Sequence, residues 1–98
     1  MERTQIYEAI NEERDYQKGW EDSTLTDSEG KHSIQEFLTF IRSYTNEALE
    51  IGCRKPDPIS NEFGLHILRK IAALAVAAME QHGVNHRSIT DNLKERHS

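Results

Sequence analysis

Apolar residues fall along this chain in three blocks with helical spacing, separated by polar stretches. The first block predicts a helix over about 3–18. Ile6 and Ile10 form a short apolar edge with Tyr7 beside them, and Gly19 marks the expected stop. A polar loop, WEDSTLTDSEGKH, follows. The second helix is expected over 33–51. Ser33-Ile34-Gln35-Glu36 reads as a capping box, in which the serine hydroxyl takes an amide proton and Glu36 reaches back. Ile34, Phe37, Leu38, Ile41, Ala48 and Ile51 then keep helical register, Tyr44 lies in the same stripe, and Gly52 stands at the C′ position. Two prolines make CRKPDPIS a connector.

Ser60 or Asn61 is the expected cap of a third helix, over 60–82, ended by Gly83. Its stretch 71–79 is apolar on every face, and such a helix is buried on every face. Three helices do not surround it, so a partner subunit is expected to, with Ala73 and Ala77 allowing close approach. Ser88 is the expected cap of a short C-terminal helix built on Ile89 and Leu93, with a frayed tail as the alternative. Strand signals are absent. The expected fold is all-α: one domain over 1–98, a small bundle of three main helices and a short fourth, completed by oligomerisation.

Composition narrows the partners. Ninety-eight residues make one domain. A net charge of −5 argues against nucleic acid or an anionic membrane, both of which need a basic footprint, and leaves room for a small anion held by local cations. Cys53 is the single cysteine, which fits a reduced, cytoplasmic setting. The charged start MERTQIYEAINEERDYQ is no signal peptide. The longest apolar run, IAALAVAAM, falls well short of the ~20 residues a membrane span needs.

The candidate chemistry begins with ERDYQKGW. Arg14 and Lys18 share a helix face, and Gln17 and Trp20 add an amide and an indole. Cations for phosphate and an indole for a base suit a nucleotide. The plainer alternative is a charged helix end anchored by Trp20. On the second helix Glu36, Ser43, Glu47 and Glu50 share a face; carboxylates in such a row bind Mg²⁺ when a second acidic helix stands opposite, and without one they read as a solvated acidic face. The third helix instead offers His66, Arg69 and Lys70, which favour an anion near Glu47 and Tyr44 or pair with the glutamates. Gly83 separates His82 from His86, and Cys53 with two histidines is a weak zinc set. Arg54 and Lys55 stand beside Cys53 and would lower its pKa, although a lone connector cysteine is more often incidental. No glycine-rich phosphate loop, nucleophile elbow or HExxH pattern occurs.

ERDYQKGW, KHSIQEFL and LRKIAALAVAAMEQHG together resemble the small phage-type members of the MazG-like, all-α nucleoside triphosphate pyrophosphohydrolase superfamily. Glu13, Arg14, Gln17, Trp20, His32 and the block 72–80 carry the likeness, Lys18 is displaced by one or two places, and the resemblance spans roughly 10–83. It implies an oligomeric helical bundle with a site between helices, and Mg²⁺ held by acidic motifs on two of them. Here the first such segment, Ser43-Tyr44-Thr45-Asn46-Glu47, keeps only its last acid, and the segment facing it, Ile67-Leu68-Arg69-Lys70, has none.

The expectation is therefore a non-catalytic binder of a small nucleotide, with no cofactor. The residues expected to hold it are Arg14, Gln17, Lys18, Trp20, His32, Tyr44, Glu47, Arg69 and Lys70. The protein would be a homo-oligomer (dimer, tetramer or higher) of the cytoplasm, a host's if phage-encoded, where it would serve as an anti-defence sponge for a nucleotide second messenger. One alternative is a Mg²⁺-dependent pyrophosphohydrolase using Glu47, Glu50, Glu36 and Glu12 or Glu13. Another is a helical interaction module. Convergence of Arg14, Trp20, Tyr44, Glu47 and Arg69 on one pocket separates the nucleotide readings from the last.

Overall fold

The computed structural model describes residues 1–23, 32–52 and 55–87, without the side chains of 20–23 and 51. Within them the chain forms helix α1 (Arg3–Ser23), helix α2 (Ile34–Glu47) running into a π-helical turn (Ala48–Gly52), and helix α3 (Pro58–His82). The all-α expectation holds, with no strand among the described residues. Cys53, Arg54, most of the polar loop and the expected C-terminal helix lie outside the described residues.

The helix ends follow from local hydrogen bonding. Ser33 caps α2 as expected: Glu36 N donates to Ser33 Oγ at 3.1 Å, and Ser33 N donates to Glu36 Oε1 at 3.0 Å. The third helix begins earlier than expected. Asp57 is its cap, accepting from Ser60 N at 2.8 Å, and Pro58 occupies the first turn, where its missing N–H is no loss. Proline is excluded from a helix interior but not from this position. The first helix runs past Gly19 to Ser23, because a glycine permits a stop without imposing one. Gly83 does end α3, with φ +85°, while its N–H donates to Met79 O at 2.8 Å.

Gly52 has a different task from the C′ role expected of it. Among the described residues only Gly83 has a positive φ. A Cβ on Gly52 would run into the Phe63 ring, so this glycine lets the end of the π-helical turn lie directly on α3.

α2 and α3 form an antiparallel hairpin. His32 N donates to Gln81 Oε1 at 3.0 Å, His82 Nε2 donates to His32 O at 2.8 Å, and Gly52 lies against Phe63 at the other end. The Phe37 ring, 2% exposed, makes edge contacts with His32, Phe40 and His82 at centroid distances of 5.8, 6.4 and 6.4 Å. α1 lies across another face of α3. There Arg69 and Glu80 of α3 bond to α1, and Ala73 and Ala77, fully buried, fall between them at helical spacing. These alanines therefore serve α1 within one chain, not the partner subunit expected to approach them.

The hydrophobic core is small: Phe37, Ile67, Ala73 and Ala77 are its buried members among the described residues. The radius of gyration is 15.6 Å, against about 13 Å for a compact chain of about 100 residues.

Gly52→Ala is expected to cost about 1–3 kcal/mol through overpacking against Phe63. Urea denaturation measures the loss, and Phe63→Leu in the same chain should recover part of it.

A pH dependence follows from the caps. The Ser33 backbone N–H, then His32, hold the Glu36 carboxyl below its ordinary value, and the Ser60 backbone N–H and hydroxyl do the same for Asp57. Carboxylates depressed by folding add stability above their unfolded pKa, and lose it as pH falls through the folded value. The melting temperature should therefore drop below roughly pH 4, and less steeply in Glu36→Gln/Asp57→Asn, which keeps both caps without their titration.

Candidate functional site

The interface of α1 with α3 is polar around an alanine centre. Glu13 and Arg14, neighbours on α1, are 9% and 8% exposed. Arg69 Nε donates to Glu13 Oε1 at 2.7 Å, and Arg14 Nε donates to Glu80 Oε1 at 2.7 Å. Both are charge-assisted bonds of short length. Gln17 Nε2 donates to Lys70 O at 3.3 Å, and Gln17 Oε1 is buried with no hydrogen-bond partner among the described residues.

Beside this network lies an open cleft of about 390 Å³, lined by Ala9, Glu12, Glu13, Tyr16, Arg69 and Lys70. Its two cations are positioned differently. Arg69 is oriented by buried Glu13, and this bond accounts for one of the five donors of its guanidinium. Lys70 holds its ammonium 5.9 Å from the centre of the Tyr44 ring, a cation–π contact with α2. Since Glu13 answers Arg69, the remaining charges of the lining are Glu12 and Lys70. Tyr16, 64% exposed, offers a ring face for stacking.

The expected nucleotide residues divide. Arg69 and Lys70 share the cleft, Tyr44 joins them through the Lys70 ammonium, and Gln17 holds the Lys70 carbonyl. Arg14 does not line this cleft; it spans α1 and α3 with Glu80 as partner. His32 sits at the start of α2, packed edge-on to Phe37 and Phe40 and 3.4 Å from Glu36, about 18 Å along α3 from Lys70. Lys18 and Glu47 are exposed on α1 and α2 and line none of the described cavities. The Trp20 side chain lies outside the described residues. Of the five residues whose convergence was to separate the readings, only Arg69 lines the cleft, and Tyr44 reaches it through Lys70. Arg14 and Glu47 lie elsewhere, and the Trp20 side chain is not described. The test therefore goes against a nucleotide site built from these five, and any site here rests on a different set, Glu12, Tyr16, Arg69 and Lys70.

Tyr16 escaped the sequence reading. Its signal was its helical spacing, three residues after Glu13 and four after Glu12, which sets it one turn beyond each. The pairing of Glu13 with Arg69 was foreseen only as a generic match of glutamate with cation. Among the described residues no three His, Cys, Asp or Glu side chains group as a metal site. Comparison with family models, with curated proteins and with solved structures finds no match.

The burial of the two ion pairs sets their energetic order. Glu13→Ala leaves Arg69, 35% exposed, without its carboxylate and is expected to cost about 1–3 kcal/mol, water offsetting part of the loss. Glu80→Ala should cost at least as much, because the charge it leaves behind, Arg14, is 10% exposed and water reaches it less than it reaches Arg69. Urea denaturation of the two variants tests the ranking.

Proposed function

We propose that this protein binds a small nucleotide in the α1–α3 cleft, as a cytoplasmic homo-oligomer and without a resident catalytic metal. The observation that carries the reading is the adjacency of Arg69 and Lys70 in one cleft with an exposed tyrosine. Its volume of about 390 Å³ falls within the range of small-ligand pockets. Arg69 and Lys70 would take a phosphate, Tyr16 would stack on the base, and the Glu12 carboxylate would accept from an exocyclic amine or a ribose hydroxyl. The Glu13–Arg69 bond supports the reading, because an oriented guanidinium loses less freedom on binding. The nucleotide itself, and its sequestration as a phage anti-defence sponge, rest on the MazG-like resemblance of the motifs.

One feature favours a second reading. Glu12 and Glu13 line the same cleft as the cations, which suits a Mg²⁺-dependent pyrophosphohydrolase better than the exposed Glu47 does. Pyrophosphate release from nucleoside triphosphates, abolished by Glu12→Gln, would establish it.

Calorimetry with mono-, di- and cyclic nucleotides, with and without Mg²⁺, tests the binder. Lys70→Gln should weaken binding about tenfold or more by removing a charge-assisted contact, and Tyr16→Ala by less. Absence of heat with every nucleotide would remove both readings.

A further inference from the structure

The cleft between α1 and α3 is rich in hydrogen-bond donors and poor in net charge. Its lining sets two acids, Glu12 and Glu13, against two cations, Arg69 and Lys70. Buried Glu13 takes Arg69 Nε at 2.7 Å, so the Arg69 charge is answered before any ligand arrives. The donors are not used up in the same way. A guanidinium has five N–H groups and an ammonium three, and this bond takes one of them. Lys70 meets a neutral partner, the Tyr44 ring. Glu12 tips the balance further. It is exposed on α1, with Glu8 one turn before it and Asp15 one turn after it, both exposed. Lys18, one turn past Asp15, offsets only the far end of this acidic row. A sphere of the cleft's volume is about 9 Å across, close to the ~8 Å screening length at physiological ionic strength, so a ligand within it feels every charge of the lining. A phosphate there finds donors for several oxygens but one unanswered positive charge in the described lining, and each negative charge beyond the first meets Glu12.

We infer that the cleft selects a phosphodiester, which carries one negative charge, over phosphomonoesters and polyphosphates, and that Glu12 sets this selection. The selection presupposes the nucleotide reading of the cleft and narrows it to one phosphate class. A phosphomonoester carries about −1.5 to −2 at neutral pH and a polyphosphate more, whereas a phosphodiester stays at one charge. A cyclic mononucleotide joins such a group to a base for the exposed Tyr16 ring, and a volume of about 390 Å³ suits one such unit. Glu12 acts here by charge and not by shape. Its oxygens still accept from the base or the ribose of the right ligand, while its charge lowers the affinity of a ligand that brings more phosphate. It is therefore a specificity-determining residue, and Arg69 and Lys70 are the ones that hold the phosphate.

Calorimetry near neutral pH and at fixed ionic strength compares the 3′,5′-cyclic monophosphate, the 5′-monophosphate and the 5′-triphosphate of each common ribonucleoside, with EDTA and with Mg²⁺. For the base that binds best, the cyclic monophosphate should bind at least about tenfold tighter than the triphosphate in both conditions. Glu12→Gln should shrink that ratio about tenfold, chiefly by tightening the triphosphate. Glu12→Asp, which keeps the charge, should restore it. Glu2→Gln makes the same change in net charge about 15 Å back along α1, beyond the screening length, and should leave the ratio unmoved. Circular dichroism should not change in these variants, since both glutamates are exposed. A mono- or triphosphate that binds wild type as tightly as the cyclic monophosphate, in either condition, would overturn the selection and leave the nucleotide reading standing. So would a ratio that Glu12→Gln does not move, or that Glu2→Gln moves as far. Absence of heat with every nucleotide would remove the reading and the selection together.

Discussion

The approach of α1 to α3 at Ala73 and Ala77 is the constraint on which the rest of this fold depends. Two side chains of minimal size let the helix backbones come close, and closeness excludes water from the long side chains on either side. Glu13 and Arg14 are buried for that reason, and each needs an opposite charge within reach. Arg69 and Glu80 provide them from points eleven residues apart on α3, about 16 Å along its axis. The pairs therefore bracket the alanines and fix where α1 lies. Exchanging either pair for apolar residues of like volume could be neutral in stability, whereas removing one partner is not. What the pairs supply is position, and position creates the cleft.

The sequence makes the helices legible because caps are local. Ser33 and Glu36 find each other within one turn whatever the rest of the chain does. Two departures came from residues whose meaning depends on context. Gly19 tolerates helix, and nothing in the described structure demands otherwise of it. Gly52 is dictated by Phe63, eleven positions away, which no local rule contains. Asp57-Pro58 is a local start signal, and it was obscured by reading both prolines as breakers.

The candidate site was legible only in part. Arg69 and Lys70 stood out as cations where acids were expected, and they do share a cleft. Arg14 was grouped with Lys18 by helix spacing, yet the two separate: Arg14 is buried with Glu80 and Lys18 is exposed. Spacing reports which residues share a face, but not whether that face is covered. The all-round apolarity of 71–79 was legible, but its division was not. Half of it serves α1, and the other half, beside the apolar positions of α2, is left open by the described residues.

Lys70 touches every helix of the hairpin and its cover. Its carbonyl receives Gln17 from α1, its ammonium rests over Tyr44 of α2, and its side chain lines the cleft. An anion drawing that ammonium into the cleft competes with the Tyr44 ring for it. Were the cleft occupied in this way, its occupancy and the seating of α2 on α3 would be thermodynamically linked, each altering the other by the same factor. The lining of the cleft and the packing of α2 on α3 thus meet at a single lysine.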